Sequence, residues 1–295
     1  MAVAGAPAAG ALPPSDAVLL ARHAPLLVLH PLERFPPSPV EPFLAGSDLL
    51  VRGPDGSWVA EPGPLPTAGP AGSHRLDVRG CSPRDVVAAV DCYAQLTGRP
   101  TAHAAVHRRA GMIVLQYWLF YPYNHWSPVV PQSPEFWQVH EGDWEEVSVL
   151  LDTRARPLGV GASRHCAGVR RAWARVPKRG ARPVVYVSLG SHANGFRSGT
   201  SRVDPKCWPK EGVAVYKAYG IPMLDHAGAG RMVSPALVRV TATTPEWMRF
   251  PGTWGEDQFA GFPNVVFRFG TGPAGPAFQA GWRDPLHGPL RWPQG

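Results

Sequence analysis

The stretch HEGDWEEVSVLLD, residues 140–152, constrains the fold more than any other, because five ionisable side chains in seven residues lead directly into an apolar run. Alternate residues of a strand point the same way, so Asp143 and Glu145 share a face that continues through Val147, Val149 and Leu151. Two carboxylates on a face that enters the core repel each other and are costly to remove from water. The stretch therefore predicts a buried strand whose charged end has a compensating partner.

A divalent cation would compensate both carboxylates directly. His140 lies three residues before Asp143 and can add an imidazole, and Gly142 leaves the backbone free to bend between them. Oxygen-rich ligation with one histidine suits Mg²⁺, Mn²⁺ or Ca²⁺ better than a structural zinc ion. The alternative that the spacing leaves open is a set of ion pairs with arginines.

Composition and pattern together favour an all-β fold, mainly an antiparallel β-sandwich with a few short helices. The 32 glycines and 35 prolines indicate many turns, while 11 Trp, 11 Phe and 7 Tyr argue against a disordered chain. The clearest helix is predicted at 82–96, with Ser82 as its N-cap. The second arm of a predicted hairpin, residues 112–120, is apolar on both faces and should be central. Strands are predicted within residues 104–124, 145–152, 182–196, 236–242 and 264–270.

The chain is predicted to form one domain. Residues 1–14 are rich in Ala, Gly and Pro and are expected to be a disordered tail, while residues 15–295 form the β-sandwich. The sequence has no export signal and no apolar run of roughly 20 residues, so we expect a cytoplasmic protein without a transmembrane segment. No CxxC pair occurs, and free buried thiols are expected at Cys81, Cys92, Cys166 and Cys207.

Three motifs carry a resemblance to known families: LFYPYNHW at 119–126, HEGDWEEVSVLL at 140–151 and RPVVYVSLGSHANGF at 182–196. In this combination the chain resembles the vacuolar-protein-sorting-62-like family through most of its length. Residues 112–195 more distantly resemble the necrosis- and ethylene-inducing peptide family. Those proteins are β-sandwich cytolysins whose GHRHDWE motif holds a divalent cation, so the resemblance implies a metal at the rim of a sandwich.

Carried over residue by residue, the cytolysin motif places its ligands on His140, Asp143 and Glu145. Asn124 stands where the cytolysins have a further aspartate, and an amide there can ligate but adds no charge. Gly142 replaces the second histidine of the motif. The cytolysins are secreted, whereas this chain shows no export signal, so cytolysis is not carried over.

Two further histidines are candidates for acid–base chemistry or ligand contact beside the metal. His192 ends a predicted core strand within the GSHAN motif that the family resemblance includes, and His165 lies in ASRHCAG. For each of them a structural, hydrogen-bonded histidine is the alternative. Ser191, Tyr123 and Trp144 are predicted ligand contacts. For Tyr123 and the aromatic side chains near it, packing in the core is the favoured alternative.

The segment 164–182 has seven Arg or Lys and no acidic residue, in a chain of net charge +7. It could contact a phosphate or an anionic lipid surface, and a solvated basic loop is the alternative. No nucleic-acid-binding signature is present, so nucleic acid is not expected as a partner. Asp225 and His226 are expected to form a glycine-rich turn.

Two functions follow from these observations. The first is a divalent-metal-binding β-sandwich that recognises a polar or anionic ligand, such as a sugar or a lipid head group, at the rim. The second is a metal-dependent enzyme, either a hydrolase or a cyclase or isomerase of a secondary metabolite, with His192 or His165 as acid or base. A purely structural metal is a third reading. The identity of the ligand, the metal and the oligomeric state are left open.

Overall fold

Strands dominate the secondary structure of the protein, whose computed structural model describes residues 14–286. The strands are β1 (Leu26–Val28), β2 (Ser47–Arg52), β3 (Trp58–Ala60), β4 (His74–Val78), β5 (Thr101–Arg109), β6 (Met112–Trp126), β7 (Trp137–Asp152), β8 (Pro157–Arg164), β9 (Ala167–Ala172), β10 (Lys178–Arg179), β11 (Arg182–Val187), β12 (Asn194–Gly195), β13 (Gly199–Arg202), β14 (Leu224–Ala227), β15 (Met232–Val233), β16 (Ala236–Arg239), β17 (Gln258–Phe262) and β18 (Val265–Gly270). The helices are α1 (Asp16–His23), α2 (Glu41–Gly46), α3 (Ala88–Ala94), α4 (Lys210–Ala218) and α5 (Ala280–Arg283). Single 3₁₀ turns are formed by Trp173–Arg175, Pro205–Cys207, Glu246–Arg249 and Pro276–Phe278.

The largest sheet is organised around the antiparallel pair β6 and β7. Its strand order is β16-β5-β6-β7-β17-β18, and β8 and then β9 extend it from the C-terminal half of β7. Met112 opposes Asp152 at one end of the β6–β7 ladder, and Trp126 opposes Gln138 at the other. Most of β6 is buried on both faces, as expected for a strand that is apolar at consecutive positions. The prediction of a central strand is confirmed.

Two cores cover the two faces of this sheet. On one face Leu115, Tyr117 and Leu119 of β6 pack with Leu27 and Val185 from a second sheet, whose order is β10-β11-β1-β15 with β12 beside β11. On the other face the side chains come from β6 and β7, the small β3-β2-β4 sheet, α2, α3 and the loop before β17. They include Phe43, Tyr93, Trp118, Phe120, Trp144, Trp247 and Trp254. The prediction of an all-β fold with few short helices is confirmed.

Several predicted elements have different bounds in the structure. The helix predicted at 82–96 covers only Ala88–Ala94, because residues before it form turns in which Asp85 Oδ1 accepts from the Ala88 N–H. The strand predicted at 182–196 ends at Val187. The chain then turns, with the Ser188 N–H donating to the Ala193 carbonyl and His192 at a φ of 53°, before β12. The tail predicted at 1–14 lies outside the described residues apart from Pro14, and the single domain stays a prediction.

The prediction of free thiols is wrong. Cys81 is bonded to Cys92, which joins the end of β4 to α3, and Cys166 is bonded to Cys207 across 41 residues of sequence. The second bond joins the β8–β9 turn to the 3₁₀ turn before α4. Disulfides persist in oxidising compartments, so the state of the four cysteines does not support the predicted cytoplasmic location. Within residues 14–286, no helix is long and apolar enough to cross a membrane.

The disulfides give a direct prediction. Unfolded but unreduced protein should have no cysteine that reacts with iodoacetamide, and reduction should make all four reactive. Replacing both Cys166 and Cys207 by serine should lower the free energy of unfolding by about 2–4 kcal/mol, because the unfolded chain loses a long closed loop. Alkylation followed by mass spectrometry and denaturant unfolding measure the two effects. Labelling of any thiol before reduction would contradict the pairing.

Candidate functional site

A cavity of about 330 Å³ is lined by residues of β7 that lie between its pairing with β17 at 137–139 and its pairing with β8 at 147–151. One end is polar and is lined by predicted site residues, namely Asn124, His140, Asp143, Glu145, His165 and Ser191. The other walls include the Cys166–Cys207 disulfide, Trp208 and Phe269, together with the amides of Gln138, Gln258 and Gln279. The folded chain therefore brings together residues that lie more than sixty positions apart in the sequence.

Gly142 decides which side chains face this cavity. In a regular strand His140 and Asp143 would point to opposite faces, yet both line the cavity. Gly142 has a φ of 51°, which inverts the alternation at this point of β7. Glu141 consequently lies on the other face, where it accepts hydrogen bonds from the Tyr93 hydroxyl at 2.6 Å and the Val78 N–H at 3.1 Å.

Tyr123 is moved by the same inversion. Tyr121 belongs to the core shared with the second sheet, whereas Tyr123 packs in the opposite core, stacked on Tyr93. Its hydroxyl donates to the Pro83 carbonyl at 2.8 Å, and it does not line the cavity. The indole of Trp144 also packs in that core, against Trp247, although Trp144 is one of the residues at the cavity wall. The structure gives Tyr123 a packing role in place of the predicted ligand contact.

Asp143 is held from behind by a buried ion-pair chain. His192 Nδ1 donates to Asp143 Oδ2 at 2.9 Å, and His192 Nε2 lies 3.7 Å from Glu33 Oε1. Glu33 in turn accepts from the backbone N–H groups of Phe35 and Gly190, both at 2.8 Å. The His192 ring lies flat on Tyr121, with 3.8 Å between ring centroids. Asp143, Glu33 and Tyr121 thus enclose the His192 side chain.

The charges of this chain follow from its contacts. Burial alone would lower the pKa of His192, but the Glu33 and Asp143 carboxylates raise it to about 9. Burial alone would raise the pKa of Asp143, but the hydrogen bond from His192 and its other neighbours lower it. His192 is therefore a cation and Asp143 an anion at neutral pH. The His192 side chain is 0 % exposed, so it positions Asp143 and cannot itself touch a molecule in the cavity.

Glu145 is the carboxylate that lacks a cation. Its Oε2 accepts a hydrogen bond from the Ser163 hydroxyl, and the Asn194 amide lies 3.4 Å away. Burial, and after it the charge of Asp143, raise the pKa of Glu145 well above its usual range. Neither Ser163 nor Asn194 supplies a positive charge, so a further cation beside Glu145 would lower its pKa and favour the ionised form.

His140 has one ring nitrogen free for a ligand. Its Nδ1 lies 3.0 Å from the Gly142 carbonyl and 3.2 Å from that of Glu141, so Nδ1 carries the proton and donates. Nε2 is then an unprotonated acceptor in a residue that lines the cavity. Burial lowers the pKa of His140 and keeps the ring neutral. Metal-binding histidines are typically held this way, with the second nitrogen donating to a carbonyl.

A second polar group meets the cavity from the β8–β9 turn. Asp225, expected in a turn, lies in β14, where it accepts from His165 Nε2 at 3.0 Å, Arg164 at 2.8 Å and the Ser191 hydroxyl at 2.9 Å. Burial alone would raise the pKa of Asp225, but His165 and Arg164 lower it to about 2. The carboxylate thus fixes the two predicted residues His165 and Ser191. The glycines that follow Asp225 in the sequence indicate a turn, and they give no sign that Asp225 holds other side chains.

The predicted metal donors have ligand atoms that suit a divalent cation, but their side chains do not converge on one point. Within residues 14–286, no three His, Cys, Asp or Glu side chains converge closely enough to hold an ion. Glu145 is turned toward Ser163. The Asn124 amide lowers the pKa of Asp143, while its Oδ1 accepts from the Trp126 N–H at 3.3 Å. Asn124 therefore supports Asp143. The cation itself stays a prediction.

The fold and this cavity define an all-β protein with a His/Asp/Glu-lined pocket beside the central strand β7. A family model described as vacuolar protein sorting-associated protein 62 matches residues 10–265, and the chain belongs to that family. The putative vacuolar protein sorting-associated protein TDA6 of Saccharomyces cerevisiae is 24% identical over 209 residues. The match covers 61% of this chain and 44% of that protein, so the chain spans less than half the length of this curated relative.

Solved structures with similarity to the chain include toxin-fold proteins. A structure titled "Toxin fold for microbial attack and plant defense" is 17% identical, covers 63% of this chain and 70% of its own, and has a TM-score of 0.37. NLPPya in complex with glucosamine is 18% identical, covers 61% and 67%, and has a TM-score of 0.36. Structural similarity at this level does not indicate what the cavity of this protein binds.

Substitution of Gly142 tests how the cavity is built. In Gly142→Ala the new Cβ would lie 2.2 Å from the Trp254 carbonyl oxygen, and the left-handed φ would add strain. We expect a loss of roughly 3 kcal/mol or more in the free energy of unfolding. Gly180→Ala is the matched control, because Gly180 has a φ of 60° with nothing within 4 Å of the added Cβ. It should cost only about 1–2 kcal/mol. Equal losses in denaturant unfolding would show that no close approach exists at Gly142.

Proposed function

We propose that the cavity binds a divalent cation through His140, Asp143 and Glu145, and that the bound cation receives a polar or anionic ligand. The observation that carries the proposal is the wall itself, where two buried carboxylates stand beside an imidazole whose Nε2 is unprotonated. Asn124 would support the site by favouring the ionised form of Asp143. Mg²⁺, Mn²⁺ and Ca²⁺ are the ions that suit such an oxygen-rich set.

The charge balance supports a cation. Glu33, Asp143 and Glu145 can carry three negative charges, and the ion-pair chain contains one positive charge, on His192. A divalent ion would bring the net charge of these four side chains to zero. It would also lower the pKa of Glu145 and favour its ionised form. Binding would require the Glu145 side chain to leave Ser163 and turn toward the cavity.

The remaining walls suit a ligand with hydroxyl groups. Gln138 and Gln258 are linked by a hydrogen bond of 2.9 Å and present amide groups, while Trp208 and Phe269 present aromatic surface. Convergent amides and an aromatic wall are typical of pockets that bind sugars or other polar small molecules. A sugar or a lipid head group is accordingly the class of ligand that we propose.

The catalytic alternative is weaker for one of its two histidines. His192 is enclosed behind Asp143 and cannot reach a substrate in the cavity. His165 does line the cavity, and Asp225 fixes its ring in the way that a carboxylate orients a general base. That single contact keeps an acid–base role for His165 as the second candidate. A cytoplasmic location, by contrast, no longer has the support of free thiols.

Thermal unfolding with divalent ions tests the proposed site. Metal-free wild type should be stabilised by Mg²⁺, Mn²⁺ or Ca²⁺, by about 2.7 kcal/mol when the free ion is a hundredfold above its Kd. His140→Gln should remove most of this gain, because it deletes one donor and leaves the Glu33–His192–Asp143 chain intact. His74→Gln is the control, since His74 pairs with Glu61 and does not line the cavity.

Two results would contradict the proposal. One is a wild-type melting temperature that no divalent ion changes. The other is a His140→Gln variant that keeps the full stabilisation while its metal-free melting temperature matches that of wild type. In either case the carboxylates would be read as a structural network.

A further inference from the structure

A second cavity, of about 420 Å³, is lined by arginines and hydroxyl groups. Its basic residues are Arg164, Arg170, Arg171 and Arg197, and its hydroxyl groups belong to Ser188, Thr200 and Ser201. No aspartate or glutamate is among its lining residues, all of which belong to the described part of the chain. The charged side chains of this cavity are therefore basic, whereas the first cavity is lined by the carboxyl groups of Asp143 and Glu145.

Two separate segments supply the arginines. Arg170 and Arg171 belong to β9, an edge strand that pairs only with β8 within the described residues, and Arg197 follows β12. The pairing of β12 with β11 brings Arg197 beside the hairpin that carries the other three. The basic segment identified in the sequence at 164–182 is therefore only one wall of a concave site.

Most of the positive charge in this cavity is uncompensated. Arg164 donates to Asp225 at 2.8 Å and to the Ser201 hydroxyl at 2.6 Å. Arg170, Arg171 and Arg197 take part in none of the ion pairs formed within residues 14–286. Arg171 lies over the Phe196 ring at 5.4 Å, which fixes its guanidinium without neutralising it. Like charges in one concave site repel each other, so an anion bound there would be stabilised.

We propose that this second cavity binds a phosphate group, carried either by a soluble phosphate ester or by a phospholipid head group. Guanidinium groups match phosphate oxygens in pairs, and the hydroxyls of Thr200 and Ser201 can add donors. This site is separate from the cation site, and its failure would leave that proposal intact.

Calorimetric titration with inorganic phosphate tests the site in the full-length protein. Wild type should bind phosphate saturably. The double variant Arg171→Gln/Arg197→Gln should bind it at least about tenfold more weakly, because two charge-assisted hydrogen-bonding groups are lost. The matched control is Arg154→Gln/Arg175→Gln, which removes the same charge from exposed arginines that do not line the cavity. The control should bind phosphate within about twofold of wild type.

The outcomes separate the proposal from general electrostatic attraction. Absence of saturable binding to wild type, or equal weakening in both double variants, would overturn it. Co-sedimentation with phosphatidylcholine vesicles, with and without phosphatidic acid, then distinguishes the source of the phosphate. Sedimentation that requires phosphatidic acid and the cavity arginines assigns a lipid head group. Phosphate binding without sedimentation assigns a soluble ester.

Discussion

The inversion of side-chain direction at Gly142 is the constraint on which the rest of the structure depends. The β7 strand carries five ionisable groups into the interior, and a regular strand would place Glu141, Asp143 and Glu145 on one face. Three carboxylates side by side could not all be compensated there. The left-handed backbone at Gly142 sends Glu141 to Tyr93 and Val78, and leaves Asp143 and Glu145 with His140 at the cavity.

This division explains why so much charge can be buried in a protein of mostly apolar core. Each acidic group of β7 meets a different set of partners, and a carboxylate with fixed donors costs far less to bury than a free one. Asp143 has His192 as a hydrogen-bond partner, whereas the hydrogen-bond partners of Glu145, Ser163 and Asn194, are neutral. The incomplete compensation at Glu145 is the physical reason for proposing a cation. In the same way, the arginines of the second cavity that form no ion pair within the described residues are the reason for proposing an anion there.

Local patterns were enough to predict the central strands, and several candidate residues chosen from the sequence, among them His140, Asp143 and Glu145, line the cavity. The apolar run of β6 and the spacing of His140, Asp143 and Glu145 are properties of short segments, and the resemblance to known motifs added Asn124. Features that depend on distant contacts could not be read in this way. Asp225 meets His165 from sixty residues away, and Cys166 meets Cys207 across 41 residues of sequence. Tyr123 was misplaced because the inversion opposite Pro122 changes its face.

The position of a bound ion tests the central claim most directly. Crystals of the wild-type protein grown with Mn²⁺ would locate the metal by its anomalous scattering. The account predicts one site in the first cavity, about 2.0–2.6 Å from His140 Nε2 and from carboxylate oxygens of Asp143 and Glu145, with Glu145 turned away from Ser163. A cavity without an anomalous peak, or a peak bound only by other residues, would contradict it.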